Sequence, residues 1–172
     1  MRLLFQIDSK NYNLNGTKYI RPSVRSIIIK RGKVAMVHSI KYDYYKFPGG
    51  GIEKDESKLE ALIRETLEES GLKIIPSSIK EYGYVYRIQK GKREDVFIQE
   101  NFYYLCDVED EIHNQKLESY EEDEEFTLEY IDPIFAIKTN RSKISGPKNQ
   151  NMLEREARVL EMLIEEGYFT KV

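Results

Sequence analysis

Glu65, Glu68 and Glu69 fall within one short stretch, Arg64-Glu65-Thr66-Leu67-Glu68-Glu69-Ser70-Gly71. Spacings of three and four residues place side chains on one face of an α-helix. Gly71 is a helix stop signal, so the acids sit near a helix C-terminus, where the backbone dipole disfavours negative charge. Each close like-charge pair on an exposed helix costs about 0.2–0.5 kcal/mol. A face that repels itself in this way calls for a positive partner. Clustered carboxylate oxygens are hard ligands, suited to a divalent cation such as magnesium. Neutralising one of these acids is then expected to relieve repulsion and to leave the apo fold intact.

The elements around the acids must position them. Ser57 and Glu60 form a capping-box pattern, and with Gly71 they bound a helix over 58–70. Its apolar residues Leu59, Leu62, Ile63 and Leu67 share one side and are expected to face a sheet, leaving the three glutamates on a separate arc. The loop before it, Phe47-Pro48-Gly49-Gly50-Gly51-Ile52-Glu53-Lys54-Asp55-Glu56, carries three consecutive glycines. Glycine admits backbone conformations and close approaches that a side chain blocks. A glycine loop opposite a carboxylate face makes a pocket that offers both backbone groups and anionic ligands.

This arrangement resembles the Nudix hydrolases. Their pattern runs Gly, five residues, Glu, seven residues, then Arg-Glu-aliphatic-any-Glu-Glu-any-Gly-aliphatic. Here Gly50 opens it, Glu56 follows at the required distance, and Arg64 to Leu72 completes it, with Thr66 standing where an aliphatic residue is usual. The resemblance implies an α/β/α sandwich (α/β, or α+β) on a mixed β-sheet with flanking helices. It implies Mg2+- or Mn2+-dependent hydrolysis of a nucleoside diphosphate linked to another group: a nucleoside triphosphate as in mutator-type members, ADP-ribose, or similar. Carried onto this chain, Glu65, Glu68 and Glu69 are the implied metal ligands, and the Gly49 carbonyl joins them. Arg64 braces the acidic face, and Glu56 holds the loop–helix geometry. The general base is a helix glutamate or an acid from a later loop. Glu124 is the candidate favoured within Glu121-Glu122-Asp123-Glu124-Glu125, with Glu122 or Glu125 as alternatives. Gly49, Gly50, Gly51 and Arg25 are the candidate substrate-binding residues. The competing functional reading is a catalytically silent Nudix-fold protein that binds nucleotides as a regulator. Loss of a motif acid would mark it, and none is lost here.

The remainder of the chain supplies strands. Short β-branched or aromatic runs occur at Leu3–Ile7, Val24–Ile29, Val34–Val37, Tyr42–Phe47, Tyr82–Ile88, Val96–Val108 and Leu128–Ile131. Asn15-Gly16 and Arg31-Gly32-Lys33 read as turns, and Lys90-Gly91-Lys92-Arg93 as a basic one. Eleven acids against one Lys between Asp107 and Glu129 mark a solvated stretch. A basic loop with Lys138, Arg141, Lys143 and Lys148 is expected after Pro133, then an amphipathic helix over 151–166. At 172 residues, 40% apolar and 33% charged, the chain fits one globular domain spanning 1–172 rather than a disordered polymer. A net charge of −3 does not point to a nucleic-acid polymer as the main partner, so a small-molecule nucleotide is expected. No run approaches the roughly 18 apolar residues of a membrane helix, and the first residues lack a secretory pattern. With one cysteine, Cys106, no internal disulfide can form, which suits a cytoplasmic protein. The resemblance also allows a homodimer.

Overall fold

The structure is a computed structural model and describes residues 1–142 and 150–170. In chain order the elements are β1 (Leu3–Asp8), β2 (Lys18–Ile27), β3 (Ile29–Lys30), β4 (Lys33–Ser39), β5 (Tyr44–Lys46), β6 (Gly49–Gly51), α1 (Lys58–Ser70), β7 (Leu72–Ile74), β8 (Lys80–Gln89), β9 (Val96–Leu105), β10 (Val108–Ile112), α2 (Ser119–Asp123), β11 (Phe126–Ile131), α3 (Pro133–Arg141) and α4 (Gln150–Glu165). A five-stranded mixed sheet runs β1-β8-β9-β2-β6, a second runs β11-β4-β3 with β5 on β4, and β10 pairs with β7. Strands β1 and β8, and β2 and β9, pair in parallel, whereas β8 and β9 form an antiparallel hairpin around the basic turn.

Alternation along β2 separates two cores. Val24, with Ile28 just beyond the strand, packs with Ala61, Leu62, Leu72 and Phe102 on the side covered by α1. Ile27 packs on the other side with Phe47, Tyr103, Ala157, Leu160 and Leu163, under α3 and α4. Helices on both faces of mixed strands make this an α/β/α sandwich.

The turn at Arg31-Gly32 forms as its sequence predicts, with φ of +50° and +75° closing the β3–β4 hairpin. After Pro133 the chain departs from expectation. Residues through Arg141 are not a loop but helix α3, started by Asp132, whose side chain accepts the Phe135 N–H at 3.1 Å, with Pro133 in the first turn. Proline there sacrifices only an N–H that the helix would leave unpaired. Asn140 of this helix clamps β5, accepting the Tyr45 N–H and donating to the Tyr45 carbonyl, both at 2.8 Å. That clamp fixes the strand from which Lys46 projects. Of the basic residues expected in this region, Lys143 and Lys148 lie outside the described residues.

Candidate active site

The loop and helix of the motif are built by local chemistry. The Ser57 side chain accepts the Glu60 N–H at 3.1 Å while Glu60 accepts the Ser57 N–H at 2.8 Å, and Gly71 closes the helix at φ +76°. Upstream, β6 pairs antiparallel with β2, setting Gly49 opposite Arg25 and Gly51 opposite Ser23. Gly49 adopts φ +146°, and a Cβ there would fall 1.9 Å from the Val24 carbonyl oxygen. Gly49→Ala is therefore expected to cost at least about 1–3 kcal/mol in backbone strain alone, read by chemical denaturation. A Cβ on Gly50 would lie 2.4 Å from Glu65 Oε2, so the missing side chain makes room for the helix carboxylate.

Arg64 organises the exposed part of the acidic face. Its Nε and Nη2 donate to the two Glu56 oxygens at 2.7 and 2.9 Å. Its Nη1 donates to Glu65 at 2.8 Å and to Glu68 at 3.3 Å, and Nη2 reaches the Gly51 carbonyl at 3.3 Å. One guanidinium thus ties loop to helix and draws Glu65 and Glu68 together. The Arg64 hydrogen bonds hold the Glu56 carboxyl below its usual range.

Glu69 lies elsewhere. Seven residues beyond Leu62, it falls beneath it on the helix and belongs to the buried face. That face comprises Ala61, Leu62, Thr66, Glu69 and Ser70, while Leu59, expected to be inward, is exposed. Glu69 is buried, and its carboxylate accepts from Lys46 Nζ at 2.7 Å and accepts the Gly49 N–H at 3.1 Å. Burial pushes its pKa up to about 7, against the pull of Lys46 and Arg25. The three glutamates are therefore not one self-repelling arc. Two share Arg64, and the third is half of a buried ion pair.

Thr66, the departure from the family pattern, donates its hydroxyl to Ser26 Oγ at 2.9 Å. Ser26 in turn donates its N–H to the Pro48 carbonyl at 2.9 Å, so this polar contact links α1 to the start of the glycine loop. Arg25 is buried and donates to the Gly49 carbonyl at 2.8 Å. It supports the loop from beneath. Lys46 Nζ also reaches that carbonyl, at 3.4 Å.

In the acidic run, Glu124 is buried and accepts from Tyr44 Oη at 2.6 Å and Ser39 Oγ at 3.0 Å, on the β4–β5 side. Glu122 and Glu125 are exposed. Glu121 is buried, accepts the Glu118 N–H at 2.8 Å, and acts on Glu69 as a neighbouring negative charge. Sequence reasoning passed over Glu121 and Lys46. The signal for Lys46 was a lysine inside the aromatic run Tyr44-Tyr45-Lys46-Phe47, where only a paired charge can be buried. Glu121 carried no comparable signal, because the short helix α2 that turns it inward is hidden in a run of acids.

The donor chemistry fits a divalent cation. Carboxylates of Glu65, Glu68 and Glu69 and the Gly49 carbonyl are hard oxygens, and each already engages a cationic side chain. As folded, no group of three acids or ligating side chains among the described residues closes on one ion. Loading it would require the Glu69 carboxylate to exchange its Lys46 partner.

A family model of the NUDIX domain matches residues 20–144, well over half of the chain. Over 53 residues the chain is 49% identical to an RNA pyrophosphohydrolase of Hahella chejuensis, covering 30% of this chain and 33% of that protein. Over 64 residues it is 38% identical to an RNA pyrophosphohydrolase of Xylella fastidiosa, covering 37% and 33%. The matched segment thus spans about a third of the length of these curated relatives. Among solved structures, a NUDIX hydrolase from Nitrosomonas europaea superposes with a TM-score of 0.59 at 18% identity, covering 89% of this chain and 91% of that one. A MutT protein from Bacillus halodurans gives 0.56 at 19% identity, covering 81% and 82%. At these identities the structural likeness speaks for the fold. The domain match, the unbroken spacing from Gly50 to Leu72 and the helix that carries it agree: the chain belongs to the Nudix family.

Proposed function

We propose that the chain is a divalent-metal-dependent pyrophosphohydrolase. Its substrate is a nucleoside diphosphate linked to a further group: a nucleoside triphosphate, ADP-ribose, or an RNA such as the curated relatives are named for. The observation that carries this reading is the Arg64 fork, which clamps Glu56 on one side and gathers Glu65 and Glu68 on the other beside the gap left by Gly50.

Glu65, Glu68 and Glu69, with the Gly49 carbonyl, would hold Mg2+ or Mn2+. When bound, such ions neutralise phosphate oxygens and acidify a water. The chain's own residues do the remaining work. Gly49 and Gly50 let the loop close on β2 and on the Glu65 carboxylate, Gly51 sets its backbone beside Arg21, and Arg64 keeps two carboxylates in place. Arg25 acts through the loop by fixing the Gly49 carbonyl, and so is a positioning residue. A carboxylate takes the proton from the attacking water. Of the later acids, Glu121 is put ahead of Glu124 because its charge acts on Glu69; both are buried and hydrogen-bonded, Glu121 to the Glu118 N–H and Tyr120, Glu124 to Tyr44 and Ser39. The products are a nucleoside monophosphate and a second phosphorylated fragment.

The same reading treats residues 1–172 as one domain, working on a nucleotide in a cytoplasmic setting, with a homodimer as the form to test by light scattering. Among the described residues no helix is long and apolar enough to cross a membrane. The test of function is a panel of these substrates with Mg2+, with Mn2+ and with EDTA, followed by product analysis. Turnover of at least one substrate with metal and none with EDTA is expected. Metal-bound protein that cleaves nothing on the panel would favour the silent, regulatory alternative.

A further inference from the structure

A second polar region lies on the face of the central sheet that packs toward α4. Arg21 of β2 pairs with Gln99 of β9, and Gln99 with Arg87 of β8, so the three form one row across the sheet. The next row outward is Tyr19, Phe97 and Gln89. Residues directly opposite in paired strands project to the same face. Arg155 of α4 is buried against this face and donates to Gln99 and Asn101 at 3.0 Å each and to Glu156 at 2.8 Å.

Arg87 has no such arrangement. It is 8% exposed, and its Nε and Nη1 have no hydrogen-bond partner among the described residues. Burial, then the guanidiniums of Arg155 and Arg25, push its pKa down to about 9, the mark of a cation lacking counter-charge. Keeping a buried charge unpaired costs stability that an arriving anion would restore.

Arg87 faces a cavity of about 660 Å³. Arg21 and the turn residues Lys90, Lys92 and Arg93 also line it, against one acid among the described residues, Glu94. The rings of Tyr19 and Phe97 stand in its wall with centroids 5.9 Å apart, and the Arg87 guanidinium lies 5.7 Å from the Phe97 ring. Arg21 connects this cavity to the glycine loop, since a Cβ on Gly51 would lie 3.2 Å from its Nε and Nη2.

We propose that this cavity is a phosphate subsite, in which Arg87, with Arg21 and the basic turn, holds a phosphate of the substrate other than those at the glutamate face. Guanidinium groups make charge-assisted hydrogen bonds to phosphate oxygens, and the neighbouring rings offer stacking surfaces to the nucleoside that carries the phosphate. The phosphate is either the phosphodiester after the first nucleoside of an oligonucleotide or a 3′-phosphate on a single nucleoside. That it belongs to the hydrolysed substrate rests on the function proposed above; its capture by Arg87 does not.

Calorimetry in EDTA separates the two, because without divalent cations the glutamate face repels phosphate. Wild-type protein is expected to bind adenosine 3′,5′-bisphosphate and, more weakly, inorganic phosphate. Arg87→Met should weaken bisphosphate binding at least tenfold, Arg87→Lys less, and the melting temperature of phosphate-free Arg87→Met should hold or rise. Arg21→Ala, at an exposed position, should weaken the same binding severalfold and serves if the buried variant does not fold. Absence of binding to wild-type protein, or unchanged affinity in both Arg87→Met and Arg21→Ala, overturns the proposal. In turnover, the kcat/KM advantage of a substrate with the additional phosphate over a plain nucleoside triphosphate should fall at least tenfold in Arg87→Met. A 5′-triphosphorylated dinucleotide and a nucleoside triphosphate bearing a 3′-phosphate distinguish the two sources. An unchanged ratio with both overturns the assignment to the substrate, whereas a wild-type protein inert on every substrate counts against the enzyme reading and leaves the binding result standing.

Discussion

Glu69→Gln is expected to destabilise the metal-free protein by about 1–3 kcal/mol, measured by urea unfolding at about pH 8.5, above the Glu69 pKa of about 7, so that the carboxyl being replaced is ionised. The carboxylate is one half of a pair with Lys46, and both side chains are buried, at 2% and 10% exposure. Removing one member of a buried pair leaves the other charged, desolvated and unanswered. Here the stranded group is the Lys46 ammonium, which retains only a 3.4 Å approach to the Gly49 carbonyl and the face of Phe126 at 5.1 Å. A glutamine can still accept from either Lys46 or the Gly49 N–H but carries no charge. The sequence suggested the opposite sign, because three acids at helical spacing look like mutual repulsion. If Glu69→Gln unfolds at the same urea concentration as wild type, the pair does not hold the loop as described. Adding Lys46→Met to Glu69→Gln should recover much of the loss, since the buried ammonium left without its counter-charge is then gone.

Glu68→Gln is expected to lower kcat by about 10²–10⁴-fold while changing stability by no more than about 0.5 kcal/mol. Its side chain is one-third exposed and shares Arg64 Nη1 with Glu65 at the longer distance, 3.3 Å. Arg64 keeps its two bonds to Glu56 and one to Glu65 whatever stands at 68. The folded state thus loses little, and any fall in rate reports the loss of a metal-holding or proton-accepting oxygen. Glu69→Gln cannot serve this purpose, because its kinetic effect is mixed with the stability term. Steady-state kinetics on the best substrate of the panel, beside unfolding curves for both variants, check the contrast. A Glu68→Gln protein with wild-type kcat would remove the helix face from the chemistry.

These outcomes trace what the chain reveals in one dimension. Helix α1 has the boundaries that Ser57, Glu60 and Gly71 predict, because capping is a local hydrogen-bond problem solved within a few residues. The hairpin at Arg31-Gly32 is legible for the same reason. Helix α3 is harder to read although Asp132 and Pro133 start it, because its basic surface residues Lys138 and Arg141 suggest a loop. The partners that decide the site come from distant segments. Lys46 meets Glu69 across 23 residues, Ser26 meets Thr66 across 40, and Asn101 meets Arg155 across 54. Gln99 meets Arg87 across the β8–β9 hairpin, but Arg21 joins that row only through the parallel register of β2 with β9, which no local pattern encodes. Spacing along a helix could show that three acids share a turn. It could not show which of them the sheet would bury, since that depends on whether Leu59 or Thr66 faces inward.

Under the function proposed above, the oxygens gathered by Arg64 and Lys46 are a divalent-cation site. Manganese titration followed by electron paramagnetic resonance tests it without any substrate. Wild-type protein is expected to remove Mn2+ from the free-ion signal, with affinity at least tenfold weaker in Glu68→Gln and competition by Mg2+. A free-ion signal that the folded wild-type protein leaves undiminished, or equal binding by the two proteins, would contradict the account.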